Sequence, residues 1–205
     1  MRLLSPSDPT RCVPFLISSR EGTEGSMLGG RPPEGISPIP DGESKRYFAT
    51  APIAIDPPLF ASIFVADLEP LMGVRGQING AGLVSIVVHP RKQRGPTSAF
   101  DSLLSEHSLR LADPADDQTA DDDGVPTTRP GHKIGGAPHL VRRQAALSAA
   151  LESLRRDRYV LVAQFDFPHG ADAVVSGDWP FADGMFALFG REPFQEEDWR
   201  WYWDF

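Results

Sequence analysis

Two stretches of this chain repeat the same order of short motifs, about 100 residues apart. Each stretch has a Gly-Gly-x-Pro turn, then an apolar run with an aspartate near its end, and then an apolar run that follows a glycine. Two copies are too few for a solenoid, whose continuous core needs at least three repeats. The sequence therefore predicts an α+β single domain of two pseudo-symmetric halves, with a mainly antiparallel sheet and a few helices. The matching segments are residues 29–32, 59–68 and 82–88 in the first copy and residues 135–138, 159–167 and 184–189 in the second.

Glycine and proline favour a loop-rich protein over a helical bundle. The 205 residues include 19 glycines and 20 prolines, and both residue types interrupt the interiors of helices and strands. We predict a first half at residues 1–112, an acidic flexible linker at 113–130 and a second half at 131–205. The glycines and proline of the repeated turns are predicted to be structural; they are Gly29, Gly30, Gly135, Gly136 and Pro138.

The predicted linker is strongly acidic and contains few residues to bury. Asp121, Asp122 and Asp123 form its densest acidic run. The spacing lacks the alternating ligands and the distal glutamate of a calcium-binding EF-hand loop, so no metal site is predicted. We interpret the run as a solvated segment and as a candidate contact for a partner.

The net charge limits the class of partner. A charge of −8 and a pI near 5.1 argue against a nucleic-acid-binding protein and suit a basic protein partner. No apolar run reaches the length of a membrane span or of a signal-peptide core, so no membrane association is expected. The single cysteine, Cys12, excludes an intrachain disulfide and fits a reducing compartment. The predicted location is the cytoplasm.

Apolar periodicity predicts most of the secondary structure. The run that contains Pro14 is expected to form an edge strand or an extended segment, because proline cannot donate to a sheet. Strands are predicted at residues 12–18, 47–55, 59–65, 83–88, 159–167 and 185–189, and helices at 99–111 and 140–154.

The carboxyl-terminal segment alternates aromatic and polar residues. A period of two places Trp199, Trp201 and Trp203 on one face of a strand. Two interpretations stay open: this face closes the core, which we favour, or it forms an aromatic partner surface. Asp178 and Trp179, in a preceding turn, are further candidates for partner contact.

Catalytic motifs are absent from the sequence. It contains no nucleophile elbow, phosphate-binding loop or zinc motif, so no catalytic residue, metal or cofactor is predicted. His132 would act as a base beside Asp166 or Asp178 if the fold brought them together, although a hydrogen-bonded structural role is more common at such a position. Asp67 and Asp166, at matching places in the two copies, are expected to accept backbone N–H groups.

The second copy resembles a known bacterial family. Its Lys133-Ile134-Gly135-Gly136-x-Pro138 turn, the Gln164-Phe165-Asp166 strand end and the glycine-led run at 184–189 are similar to the motifs of the YwqG-like family. The likeness covers about residues 131–190 and is degenerate in the first copy, where the run at 62–67 lacks the glutamine. The resemblance implies a duplicated α+β protein with no established enzymatic activity, similar to proteins encoded beside secreted toxins.

The resemblance, the acidic charge and the lack of a catalytic motif together favour one functional hypothesis. We expect an immunity protein that binds a cognate secreted bacterial toxin or effector, such as a basic nuclease or a type VI secretion effector, and blocks its active site. The alternative is a small hydrolase or ligand-binding enzyme with a cleft near His132, Asp166 and Asp178.

Overall fold

In the computed structural model, antiparallel strands form most of the chain. Thirteen strands and one α-helix lie among the described residues. The structure describes residues 8–18, 25–39, 44–55, 58–66, 78, 82–90, 107–120, 123–124, 126–140, 145–167, 179, 181 and 184–204.

Eleven of the strands belong to one sheet, in which every pairing is antiparallel. The strand order is β13-β12-β11-β10-β1-β6-β2-β3-β4-β5, with β7 also pairing with β1. Strands β8 and β9 form a separate hairpin. The strands are β1 Arg11–Ser18, β2 Met27–Leu28, β3 Lys45–Ile55, β4 Pro58–Ala66, β5 Val84–Pro90, β6 His107–Leu111, β7 Ala115–Asp116, β8 Gln118–Ala120, β9 Pro126–Thr128, β10 Lys133–Ile134, β11 Val160–Phe165, β12 Met185–Gly190 and β13 Trp199–Asp204.

The first strand lies in the middle of this sheet. One edge of β1 pairs with β6 and β7, and the other edge pairs with β10 of the second half. The expected strand is therefore present, but its predicted position at an edge is wrong. Pro14 has no N–H to donate, but its carbonyl accepts a hydrogen bond from Ala112 N at 2.9 Å. The pairing of β1 with β10 ties the two halves into one domain.

The main core lies between the inner faces of the two halves. Phe48 on β3 packs edge-on against Phe165 on β11, with ring centroids 5.2 Å apart. The alternating side chains Trp199, Trp201 and Trp203 of β13 are all buried in the same cluster. Alternate residues of β4, such as Ile63, enter the core from the first half. Burial of these large apolar side chains is the main favourable contribution to folding, at roughly 1.5–3 kcal/mol each.

A second apolar layer covers the outer face of the second half. Helix α1, Ala145–Arg156, packs Leu147 and Leu154 against the outward side chains of β11 to β13, including Tyr202. This confirms the predicted amphipathic helix over 145–154; the predicted start at Leu140 is wrong, because that residue is not helical, and positions 141–144 lie outside the described residues. No helix in the described part of the chain is long and apolar enough to cross a bilayer.

One predicted helix is wrong where it is described. Residues 107–111 form β6, which pairs with both β1 and β2, and residues 99–106 lie outside the described chain. The apolar positions Leu109 and Leu111 satisfy a period of two as well as a helical spacing, so pairing with two neighbouring strands decides the structure.

The strand order bears on the predicted duplication. Read inward from either end, the sheet has three long strands and then the short strand before a Gly-Gly turn, which is β2 in one half and β10 in the other. In this order β3 takes the place that β11 takes in the second half, whereas the sequence motifs match β11 with β4. A residue-by-residue two-fold relation between the halves stays a prediction.

Candidate functional site

The acidic segment 113–130 contains folded structure. It forms β7 and the β8–β9 hairpin, in which Gln118, Thr119 and Ala120 pair with Thr128, Thr127 and Pro126. The described part of the predicted linker thus forms strands, although it buries little, and its flexibility stays a prediction. Its composition is polar, but one aspartate of the segment is buried.

That aspartate, Asp117, forms a buried ion pair with Lys133. The Lys133 ammonium lies 2.6 Å from Asp117 Oδ1, and both side chains are almost completely excluded from solvent. Lys133 Nζ also donates to the carbonyl of Ala137 at 2.7 Å, and Asp117 Oδ2 accepts from Ala137 N at 2.8 Å. Because the ammonium and the carboxylate both bond to the same turn residue, the pair fixes the hairpin to the glycine turn.

The glycines of this turn have the conformation that the motif predicts. Gly135 and Gly136 have φ values of 67° and 76°, in the left-handed region that favours glycine. A Cβ at Gly136 would lie 2.7 Å from the Asp117 carboxylate. Glycine at this position thus provides the space in which the buried ion pair sits.

Backbone contacts hold the base of the hairpin on the other side. Asp117 N donates to Thr10 O at 3.0 Å, and Arg129 N donates to Asp117 O at 2.7 Å. Thr128 Oγ1 donates to the carbonyl of Pro138 at 3.0 Å. These bonds link the hairpin to the amino-terminal segment and to the glycine turn.

Two residues of the alternative hydrolase hypothesis, His132 and Asp166, hydrogen-bond to the backbone in this structure. His132 is buried, and its Nδ1 accepts a hydrogen bond from Asp166 N at 3.2 Å. The Asp166 carboxylate accepts from the backbone N–H groups of Gly131 and Phe167, each at 2.9 Å. His132 and Asp166 are thus close together, but this bond joins the imidazole to the Asp166 backbone rather than to its carboxylate.

Gln164 is a third side chain that hydrogen-bonds to the backbone of the same loop. Its Oε1 accepts from His139 N at 2.7 Å, and its Nε2 donates to Gly131 O at 3.1 Å. A glutamine is suited to this role because one amide group both donates and accepts. The motif residues that carry the family resemblance therefore hold the turn in place.

Burial changes the proton affinity of the groups around the ion pair. Desolvation lowers the pKa of Lys133 below the usual lysine value, and the hydrogen bond to Asp117 partly opposes this effect. Burial raises the pKa of the Cys12 thiol to about 11, with a further increase from the neighbouring Asp117 carboxylate. Cys12 is therefore a protonated, unreactive thiol at neutral pH.

The outer residues of the hairpin are accessible to solvent. Asp116, Gln118, Ala120 and Asp123 are exposed. The connection between β8 and β9 contains the predicted contact residues; of these, Asp121 and Asp122 lie outside the described residues. The structure thus gives a solvent-exposed hairpin, with exposed carboxylates at Asp116 and Asp123, on a buried, hydrogen-bonded base.

The tryptophans predicted as partner contacts are buried. Trp199, Trp201 and Trp203 are at most 2% exposed, and Trp179 is 6% exposed. The indoles of Trp179 and Trp203 donate to backbone carbonyls at 2.8 Å, which satisfies their polar atoms inside the protein. The core interpretation is confirmed, and the aromatic partner surface is wrong. Asp67 and Asp178 lie outside the described residues.

The outer face of the first half carries a polar chain that the sequence analysis missed. Tyr47, Thr50, Ser62 and His89 are linked in that order by contacts of 2.8, 2.6 and 2.8 Å, and Lys45 Nζ donates to Ser85 Oγ at 2.8 Å. These residues are spread over three strands, so no local motif marks them. Ser62 is fully buried, and the chain has the character of a hydrogen-bonded core.

No group of three or more potential metal ligands occurs within the described ranges. Comparisons with protein-family models, with curated proteins and with solved structures give no match to this chain.

Proposed function

We propose that this chain is an immunity protein that acts in the cytoplasm, where it binds a cognate bacterial toxin or effector and blocks its active site. The observation that carries the proposal is the exposed acidic hairpin on its buried ion-paired base. The hairpin is the contact element, and its partner presents a basic surface such as the active-site groove of a nuclease.

Preorganisation supports this role. The Asp117–Lys133 pair and the bonds of Thr128 and Arg129 fix the hairpin before any partner arrives. A hairpin that is held at its base loses less conformational entropy on binding than an unanchored segment, so more of the contact energy appears as affinity. The aspartates that connect β8 and β9 then need only a complementary charge.

The hydrogen bonds that His132 and Asp166 make to the backbone support binding rather than catalysis. A general base must reach the proton that it removes from a substrate. His132 Nδ1 and both Asp166 oxygens already accept backbone N–H groups. No specific contact among the described residues favours the hydrolase alternative.

The proposal is tested by capture of a partner and by a neutralisation assay. The tagged full-length chain is used to isolate a stoichiometric partner from the source bacterium at moderate salt. That partner, expressed alone, should stop growth, and co-expression of this chain should restore it. If the isolated partner is harmless, or if the chain does not restore growth, the immunity function is wrong.

Charge removal at the hairpin tests the contact itself. The triple variant Asp121→Asn, Asp122→Asn and Asp123→Asn should weaken the isolated complex by about tenfold, since rim charges contribute roughly 0.2–1 kcal/mol each. The loss should shrink at high salt, which screens exposed charges.

An equal change of charge elsewhere provides the control. Glu192, Glu196 and Glu197 are three exposed acids between β12 and β13, and their replacement by glutamine also removes three negative charges. This variant should bind within about twofold of the unaltered chain. Equal losses in both variants would show that net charge, rather than the hairpin, attracts the partner.

A further inference from the structure

A small apolar cavity lies beside the glycine turn, in the layer beneath α1. Its volume is about 90 Å³. The walls come from the turn at 136–138, from Leu151, Leu154 and Arg155 of α1, and from the strand residues that follow the helix, among them Leu161.

The wall formed by the turn is held in place. Ala137 bonds through its N–H to Asp117 and through its carbonyl to Lys133, both buried. The left-handed conformation of Gly136 fixes the direction of the chain at the cavity wall. A cavity beside a wall that cannot relax keeps its volume, and a ligand of matching size would gain contacts with its lining.

Arg155 is the one charged side chain among the described residues that line the cavity. Its side chain is 65% exposed, and its ion pair with Glu152 is long, at 3.8 Å, with the glutamate exposed as well. Such an exposed pair is weak, so the guanidinium is able to turn towards a ligand.

The charges around this site favour an anion. Arg156 adjoins Arg155 in the last turn of α1, and the guanidinium groups of Arg191 and Arg200 lie 4.9 and 5.2 Å from the ring centre of Tyr159, which also lines the cavity. Asp198 pairs with Arg191, and the carboxyl-terminal end of the helix dipole is negative. Glu152 and Asp157 add further negative charge, so the four arginines exceed the three carboxylates by one.

We propose that this cavity binds a short branched aliphatic group that carries a carboxylate, with the aliphatic part inside and the carboxylate on Arg155. The volume limits the ligand, because about 90 Å³ is smaller than the cavity of about 150 Å³ that binds benzene in another protein. A group the size of a leucine side chain suits a cavity of this volume. The proposal does not depend on the acidic hairpin or on an immunity function.

The test is a titration of the full-length protein, followed by methyl NMR. The probes are 4-methylpentanoate, the neutral 4-methylpentanamide and a short peptide that ends in leucine. The acid should shift the methyl signals of Leu151 and Leu161 saturably, with a dissociation constant on the order of 1 mM for a ligand of this size. The amide should bind more weakly by about three- to fivefold, the effect of one exposed ion pair.

Two neighbouring arginines provide the matched variants. Arg155→Gln should weaken binding of the acid by about three- to fivefold and leave binding of the amide unchanged. Arg156→Gln should leave both affinities within about twofold of those of the unaltered protein. Arg156 is exposed and does not line the cavity. Leu151→Phe, which fills the cavity, should abolish binding of every probe.

The comparison of the probes also identifies the source of the ligand. Tighter binding of the peptide than of the free acid assigns the site to a chain terminus, and exclusion of the peptide assigns it to a free acid. The proposal is overturned if neither acid probe saturates, if the amide binds as tightly as the acid, or if the two arginine variants behave alike.

Discussion

The two glycine turns of this protein have the same backbone but different buried neighbours. Gly29 and Gly30 have φ values of 70° and 76°, and Gly135 and Gly136 have values of 67° and 76°. Two residues before the glycine pair, the first turn has Met27 and the second has Lys133. Both side chains are buried, so the same position is filled once by a thioether and once by an ammonium group.

This difference shows which contacts the turn itself requires and which contacts the second half adds. An apolar residue is sufficient at the first turn, where Gly29 N bonds to the backbone carbonyl of Phe48 at 2.7 Å. At the second turn Lys133 pairs with Asp117. A buried ion pair seldom stabilises a fold more than apolar packing does. Here the pair connects the acidic hairpin to the glycine turn.

Loss of the lysine should have the largest effect. Lys133→Met copies the residue of the first turn and leaves the Asp117 carboxylate buried without its cation. We expect a loss of about 3–5 kcal/mol in the free energy of unfolding, measured by urea denaturation. Addition of Asp117→Leu should recover a large part of this loss, since it removes the unpaired charge.

The two outcomes distinguish the roles of the pair. A single variant that is as stable as the unaltered protein would mean that solvent reaches Asp117, and the contrast between the turns would then be unimportant. Recovery in the double variant together with loss of partner binding would show that the pair serves the hairpin rather than the fold.

Replacement of the second glycine should have a smaller effect. Gly136→Ala combines a left-handed φ, worth roughly 1–2 kcal/mol, with a Cβ that would lie 2.7 Å from Asp117. Gly131→Ala is the matched control, because Gly131 has a φ of 89° and a Cβ added there would meet nothing within 4 Å. Thermal denaturation should show the larger loss for Gly136→Ala, and equal losses would mean that the ion pair moves aside freely.

Local patterns predicted the strands and the turns well, because the information needed for them lies in adjacent residues. The period of two in the tryptophan segment identifies β13, and the Lys-Ile-Gly-Gly-x-Pro motif identifies the left-handed turn. The helix predicted over 99–111 failed at 107–111, because pairing with β1 and β2 outweighs a helical spacing of leucines.

The candidate site was harder to predict, because its members are brought together only by the fold. Asp117 lies in an acidic run in which nothing distinguishes it from the exposed Asp116. Its partner is 16 residues away, and the contact depends on β1 placing Thr10 next to the hairpin. The hydroxyl and imidazole chain of the first half is dispersed over three strands for the same reason.

The smallest expected effect concerns Cys12, which lies beside the second turn's ion pair. Its pKa of about 11 in the folded protein exceeds the usual 9.0, so the folded protein keeps a proton that the unfolded chain releases above pH 9. Stability contributed by Cys12 is therefore complete below pH 9 and declines as the pH rises towards 11. The lowered pKa of Lys133 has the opposite effect on stability as the pH rises, since the unfolded chain then holds the extra proton.

The measurement is the difference between the unaltered protein and Cys12→Ala in urea denaturation at about pH 8 and about pH 10.5, on either side of the unfolded thiol's pKa. The unaltered protein should lose stability relative to the variant at the higher pH, and parallel behaviour at both pH values would show that burial does not raise the pKa of the thiol.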